Sequence, residues 1–184
     1  MRVLGIPGSL RGDSHNLRLL RTAGALLPSG VELVIFPDLK AIPPFDEDDE
    51  RAPAAGVTGW RQAILAADGL LFATPEYNSS IPGTLKNAID WASRPSGEGV
   101  LRDKPAAVIG ASTGMFGAVW AQAELRKVLA AAGARVIDTE LGVGNADEAF
   151  DADGALVEAG HTTALAETLE RLLAAIQARA AIHA

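Results

Sequence analysis

Six polar side chains crowd one short stretch near the start of the chain, Gly8-Ser9-Leu10-Arg11-Gly12-Asp13-Ser14-His15-Asn16. Ser9, Ser14 and Asn16 bring side-chain donors, and Arg11 brings a rigid cationic fork. If a helix follows, its first turn adds free backbone N–H groups and a partial positive charge. That set suits one phosphate monoester. The same residues also read as a helix start with Ser14 as N-cap, and residue type alone does not separate the two. A P-loop is excluded because its Lys-Ser/Thr pair is missing. The dinucleotide fingerprint is excluded because Gly5, Gly8 and Gly12 do not fit G-x-G-x-x-G.

A second group is Thr74-Pro75-Glu76-Tyr77-Asn78-Ser79-Ser80-Ile81-Pro82-Gly83, which holds the one tyrosine of the chain. Two prolines stiffen it. With an aromatic ring, amides and hydroxyls it has the chemistry to grip a flat heterocycle with a polar edge. The plainer reading is a turn whose Tyr77 covers the edge of the core. A third group, Gly110-Ala111-Ser112-Thr113-Gly114-Met115-Phe116-Gly117, combines glycine and small hydroxyls, which permit close approach of a ligand to the backbone. It also reads as a flexible turn.

Other chemistries find no support. There are no cysteines, so disulfides, cysteine-ligated metals and thiol nucleophiles are excluded. The three histidines, His15, His161 and His183, recur at no metal-ligand spacing. His15 falls inside the first group and is read as a bystander. No Ser/His/Asp constellation is visible, so no catalytic protein nucleophile is expected.

The elements that must position these groups alternate along the chain. Short apolar runs at Arg2–Pro7, Val31–Phe36, Gly69–Thr74, Lys104–Ala111 and Ala134–Thr139 read as strands, the last more polar and placed at an edge. Helical spacing marks Asn16–Leu27, Ala54–Ala67, Thr84–Ala92, Ala118–Ala131 and Ala155–Ala181. The expected inward faces are Leu17, Leu20, Gly24 and Leu27 in the first, Trp60, Ile64 and Leu65 in the second, and Val119, Ala123, Val128 and Leu129 in the fourth. Asp38–Pro53, with the acidic run Asp46–Glu50, reads as a solvated loop. Strands alternating with helices imply a doubly wound α/β fold. Five strands favour the five-stranded parallel order 2-1-3-4-5, helices on both faces. Ligands then sit beyond the carboxyl ends of the strands, and the three polar groups follow strands one, three and four.

The chain has 184 residues, 48% hydrophobic and 21% charged, with a net charge of −7. That length is within the roughly 100–200 residues typical of one domain. The acidic balance argues against a nucleic-acid partner. No run reaches the ~20 apolar residues of a bilayer span, and the N-terminus lacks the apolar stretch of a signal peptide. A soluble, cytoplasmic protein with no membrane partner is expected.

Ser9-Leu10-Arg11-Gly12-Asp13-Ser14-His15-Asn16 resembles the S-L-R-x-x-S-x-N phosphate loop of the NADPH-dependent FMN reductase family, flavodoxin-like proteins that include chromate- and quinone-reducing flavoproteins. Pro75-Glu76-Tyr77-Asn78 resembles that family's P-E-Y-N loop, and Ile81-Pro82-Gly83-Thr84-Leu85-Lys86-Asn87-Ala88-Ile89-Asp90-Trp91 continues the match. The similarity runs from the first strand to about Thr139. It implies one flavodoxin-like FMN-binding domain over 1–184. It implies FMN as cofactor, NADPH or NADH as co-substrate and a small-molecule electron acceptor such as a quinone or chromate. By resemblance, Ser9, Arg11, Ser14 and Asn16 hold the FMN phosphate. Pro75, Glu76, Tyr77 and Asn78 line the ribityl chain and ring edge, and Ser112 approaches the far side of the flavin. Lys86, Asn87 and Trp91 are expected to shape packing. A homodimer or homotetramer is implied, with Trp91, Trp120 and Phe116 as interface candidates if they share one exposed patch. The alternative is a flavodoxin-type electron carrier that does not oxidise NAD(P)H.

Two features qualify the match. The loop after strand four is poorer in glycine than is usual in the family, and Met115 and Phe116 are bulky there. They either narrow the space over the flavin or serve a subunit contact. Glu76 is the one acid beside the expected ring site. Because a negative charge next to a reduced, anionic flavin is unfavourable, its carboxylate is expected to point away from the ring.

Overall fold

The computed structural model describes residues 1–183. Arg2–Pro7 (β1), Glu32–Ile35 (β2), Gly69–Thr74 (β3) and Pro105–Ala111 (β4) form the body of a parallel sheet, with Arg135–Val136 (β5) and Gly142–Val143 (β6) along one edge. The order is β2-β1-β3-β4-β5, with β6 also on β4. This is the order predicted from the sequence. Every residue of β3 and β4 is buried, as expected for central parallel strands covered on both faces.

The edge departs from the expected single strand over Ala134–Thr139. Val136 pairs with Ala106 and Gly142 with Gly110, so the edge chain uses six steps where β4 uses four. Two surplus residues bulge out around the polar Asp138-Thr139-Glu140 and split the strand in two.

Helices α1 (His15–Leu26), α2 (Ala55–Ala66), α3 (Gly83–Ala92), α4 (Val119–Ala131) and α5 (Ala159–His183) flank the sheet. Leu4, Ile6, Leu70 and Phe72 pack under α2, α3 and α4 with Trp60, Ile89 and Leu125. Val3, Leu71, Ala107 and Ile109 pack under α1 and α5 with Leu19, Leu165 and Leu172. The predicted helix faces are correct in part. Trp60 and Ile64 are fully buried, but Leu65 is 60% exposed. It lies one residue past Ile64, about 100° further round the helix. In α1 the buried stripe is Asn16, Leu19, Leu20 and Ala23, so Leu17 and Leu27 are only partly covered. In α4 it is Ala121, Gln122, Leu125 and Leu129; Ala123 is exposed, and Val119 and Val128 are half-buried. Gln122 enters the core because its amide donates to the Gly117 carbonyl at 3.0 Å.

The acidic run forms an exposed 3-10 turn over Glu47–Arg51, capped by Asp46. Asn87 and Trp91 both donate to the Pro43 carbonyl, at 2.8 and 2.9 Å, and Asn87 accepts from Phe45 N. These α3 residues therefore tie down the 43–45 segment. Trp91 is fully buried, which removes it from the interface candidates. Among the described residues no helix is long and apolar enough to cross a membrane.

Candidate flavin site

The turn after β1 is pressed against the turn after β3. A Cβ on Gly8 would lie 3.0 Å from Leu85 Cδ2 and 3.1 Å from Pro75 Cδ, so the close approach favours glycine. Beyond it, Ser9 Oγ accepts from Arg11 N at 3.3 Å, which curls the turn back. Ser14 caps α1, its Oγ accepting from Asn16 N at 3.2 Å. The cap reading of Ser14 and a ligand role are thus compatible, since a hydroxyl that accepts one bond keeps its own O–H to donate. Among the described residues, the N–H groups of Leu10, Gly12, Asp13 and His15 find no acceptor. Of these, the His15 N–H lies in the first turn of α1, at its positive end.

Arg11 is exposed, and the one hydrogen bond of its side chain within the described residues is from Nη2 to Asp13 O at 3.1 Å. Its guanidinium keeps donors to spare. Asp13 is occupied by Arg18, which reaches its Oδ1 at 2.7 and 3.1 Å. Those hydrogen bonds, and then the Arg18 charge, hold the Asp13 carboxyl below its ordinary range. The one carboxylate of this turn is therefore ion-paired.

Asn16 is 2% exposed and makes a two-way bond to one distant residue. Its Nδ2 donates to Ala111 O, and its Oδ1 accepts from Ala111 N, both at 2.9 Å. The side chain expected to face a phosphate is thus first a bracket, joining the start of α1 to the end of β4. One amide hydrogen remains outside that pair.

In the turn after β3, Tyr77 and Ser80 exchange backbone hydrogen bonds of 3.0 and 3.1 Å. The two residues between them, Asn78 and Ser79, have φ of 54° and 59°. Two successive positive φ values describe a type I′ reversal, which asparagine tolerates better than most residues. Tyr77 is lifted out of the core and is 51% exposed.

Glu76 points to α4. Its Oε2 accepts from Trp120 N and Ala121 N, both at 3.1 Å. The N-cap residue of α4 is Ala118, which has no side-chain acceptor, so Glu76 supplies one from another loop. The helix dipole there favours a negative charge. Glu76→Gln keeps an acceptor oxygen and is expected to leave FMN affinity and turnover close to wild type. Glu76→Ala is expected to cost about 0.5–2 kcal/mol of stability, the ordinary value of a lost cap. Urea denaturation and initial rates check the pair; a large loss of hydride transfer in Glu76→Gln would give the carboxylate a direct part in the chemistry.

After β4, Ser112 Oγ accepts from Gly114 N at 3.1 Å. Gly117 has φ 57°, and a Cβ there would come within 2.3 Å of Gly142 C, so this turn closes against β6 only with glycine.

The three turns enclose one cleft of about 120 Å³. It is lined by Ser9, Arg11, Ser14, Asn16, Pro75, Glu76, Tyr77 and Ser112, together with His15, Ala111 and Thr113. Asn78, at the tip of its turn, is not among the lining residues. A wider hollow of about 500 Å³ adjoins it along Gly8–Arg11, Tyr77 and Pro82–Thr84.

The NADPH-dependent FMN reductase family matches residues 1–148, which include all three turns. An NAD(P)H-dependent FMN reductase of Pseudomonas aeruginosa is 46% identical over 161 residues, 86% of this chain and 85% of that protein. The chain belongs to the NADPH-dependent FMN reductase family. A 2-hydroxy-1,4-benzoquinone reductase of a Burkholderia species is 43% identical over 130 residues, 71% of this chain and 70% of that one. The structure of FerB, a flavoenzyme NAD(P)H:(acceptor) oxidoreductase of Paracoccus denitrificans, superposes with a TM-score of 0.84 at 33% identity, covering 96% and 97% of the two chains. The protein is thus an oxidoreductase of flavodoxin-like fold that uses FMN with NAD(P)H as electron donor.

The cleft of this FMN reductase fits the cofactor's phosphate. Ser9 and Ser14 with their hydroxyls, Arg11 with its fork, and His15 at the start of α1 all line it, and phosphate groups are commonly bound by such a set. His15, Thr113 and the Pro82–Thr84 segment were not assigned from the sequence. The motif match covered Pro82–Thr84 without giving them a role, and His15 occupies a variable position. Met115 and Phe116 line neither hollow. They are 74% and 59% exposed, and Phe116 meets Trp120 edge-on at 5.1 Å. Trp120 is itself 51% exposed, so Phe116 and Trp120 share one patch beside the site.

Proposed function

We propose that this chain, acting over 1–184 as one domain, transfers two electrons from NADPH or NADH to a quinone, chromate or similar small acceptor. Ser9, Arg11 and Ser14 hold the FMN phosphate through side chains and the α1 N-terminus. Asn16 keeps the turns after β1 and β4 in register and offers its remaining amide hydrogen. The backbone of Pro75–Asn78 lines the ribityl chain and ring edge, and Ser112 lies toward the far side. Bound FMN supplies the hydride-accepting ring, which the protein orients. For a quinone the overall reaction balances as NAD(P)H, one proton and quinone giving NAD(P)⁺ and hydroquinone.

The observation that carries this reading is the convergence of eight expected residues on one cleft at the carboxyl ends of β1, β3 and β4. The relative named a benzoquinone reductase supports the acceptor class. A homodimer or homotetramer in the cytoplasm completes the proposal, with the Phe116–Trp120 patch as the contact beside the site.

The test is anaerobic addition of NADPH to the yellow protein, followed by a benzoquinone. Bleaching, then steady NADPH oxidation with the quinone, is expected. A protein that retains FMN but is not bleached by NADPH or NADH would be an electron carrier instead.

A further inference from the structure

A third hollow, of about 450 Å³, opens on the far side of the turn after β1, between α1 and the segment that follows β2. It shares Ser9 and Arg11 with the phosphate cleft. It shares Ser9, Leu10 and Arg11 with the wider hollow beside Tyr77. Three spaces therefore meet at one turn. The apolar wall of the third is made by Leu10, Leu17, Ile35 and Phe36. Leu10 is 47% exposed, an apolar side chain on the ridge between two hollows.

The charged groups facing this space are Arg11, Arg21 and Lys40, against one carboxylate, Asp38. The chain as a whole carries −7, so this local excess of positive charge runs against the average of the molecule. Leu17 and Arg21 lie four residues apart in α1 and share a face. Lys40 stands in the 3-10 turn Leu39–Ala41, just after β2. Arg21, Lys40 and Asp38 are exposed, and none of them forms an ion pair within the described residues. Two cations beside an apolar wall suit a purine nucleotide that carries a phosphate dianion, the guanidinium as a fork and the ammonium as a point charge. Asp38 offers an acceptor to a hydroxyl or amine of the same nucleoside. NADPH differs from NADH by one phosphate, on the 2′-oxygen of its adenosine. Its nicotinamide end must reach the flavin ring, for which the hollow beside Tyr77 is open. The Leu10 ridge leads from there to Arg21 and Lys40.

We propose that this hollow is the adenosine subsite of the electron donor, and that Arg21 and Lys40 take its 2′-phosphate, so that the enzyme prefers NADPH to NADH. The inference rests on the proposed transfer of electrons from NADPH or NADH and deepens it. Charge complementarity and continuity with the phosphate cleft carry it.

The experiment is calorimetric titration of the FMN-loaded protein with 2′,5′-ADP and with 5′-AMP, beside steady-state rates with each coenzyme and one benzoquinone. Wild type is expected to bind 2′,5′-ADP at least roughly tenfold more tightly than 5′-AMP, the worth of one charge-assisted hydrogen bond. Lys40→Ala and Arg21→Ala should each weaken 2′,5′-ADP by about tenfold and leave 5′-AMP as it was. Both should raise KM for NADPH without raising it for NADH. Lys40→Ala is the more diagnostic, because Arg21 also borders the hollow along residues 151–155. Retained flavin absorbance shows that either variant is folded, and Lys40→Arg should restore the preference. If 2′,5′-ADP binds no better than 5′-AMP, or binds wild type and both variants equally, the proposal falls. It falls equally if the KM values for NADPH and NADH rise together. Wild type bleached by both coenzymes without an advantage for NADPH would overturn this inference alone, whereas wild type bleached by neither would overturn the electron transfer on which it rests.

Discussion

Arg11→Ala is expected to weaken FMN binding by about tenfold to somewhat over a hundredfold. The lower bound corresponds to one charge-assisted hydrogen bond of roughly 1.5 kcal/mol and the upper to about 3 kcal/mol. Arg11 is the one lysine or arginine lining the cleft, and the neighbouring carboxylate of Asp13 is already paired with Arg18. Replacing it leaves Ser9, Ser14 and the α1 N-terminus to carry a dianion without a full positive charge. Protein stability should hardly change, because the Arg11 side chain is exposed and makes a single hydrogen bond within the described residues, to the Asp13 carbonyl. Surface changes without buried partners seldom exceed about 0.5 kcal/mol. Arg11→Lys should recover part of the affinity, as a point charge without the fork. Riboflavin should bind wild type and variant alike. Quenching of flavin fluorescence gives the affinities. Retention of FMN at wild-type strength by Arg11→Ala would mean that the phosphate is held elsewhere.

Asn16→Ala should behave in the opposite way, with stability as its first casualty. The substitution removes both partners of Ala111, whose N–H and C=O are bonded by the Asn16 amide at 2.9 Å in a fully enclosed setting. Each buried group left without a partner costs about 1–3 kcal/mol, so a loss of roughly 2–6 kcal/mol is expected. Asn16→Asp should be no milder. It keeps an acceptor for Ala111 N but sets a second acceptor, and a buried charge, against Ala111 O. FMN affinity should fall as a consequence, because the turns after β1 and β4 lose their common brace. Urea denaturation of the apoprotein, compared with FMN titration, separates the two effects. An Asn16→Ala protein of undiminished stability and poor FMN binding would restore a purely ligand-facing role to this side chain.

The contrast between these neighbours shows where the reading of a motif stops. Arg11 and Asn16 belong to the same eight-residue S-L-R-x-x-S-x-N pattern, and the pattern marks both as phosphate residues. Asn16 is bonded to a residue 95 positions away, and nothing in the spacing of the loop names that residue. Glu76 is similar. Its carboxylate was expected to turn from the ring on electrostatic grounds, yet its destination, an α4 start that lacks its own cap, lies 44 residues on. His15 occupies a variable position of the motif, and its neighbours Asp147 and Phe150 come from the stretch after β6, far along the chain.

The amino-acid order alone determined the alternation of strands and helices, the parallel sheet and the placement of three polar turns at one edge. Central strands covered on both sides are near-continuous apolar runs, and β3, which is apolar from Gly69 to Ala73, has the bounds expected from its sequence. Turns that carry function interrupt those runs with glycine, proline and hydroxyls. Tertiary structure alone decided which face of α1 and α4 turns inward, where the edge strand breaks, and which polar atoms the site can spare for a ligand. Those outcomes depend on pairings across the fold, and a hydrogen bond between distant residues leaves no periodic trace in the chain that makes it.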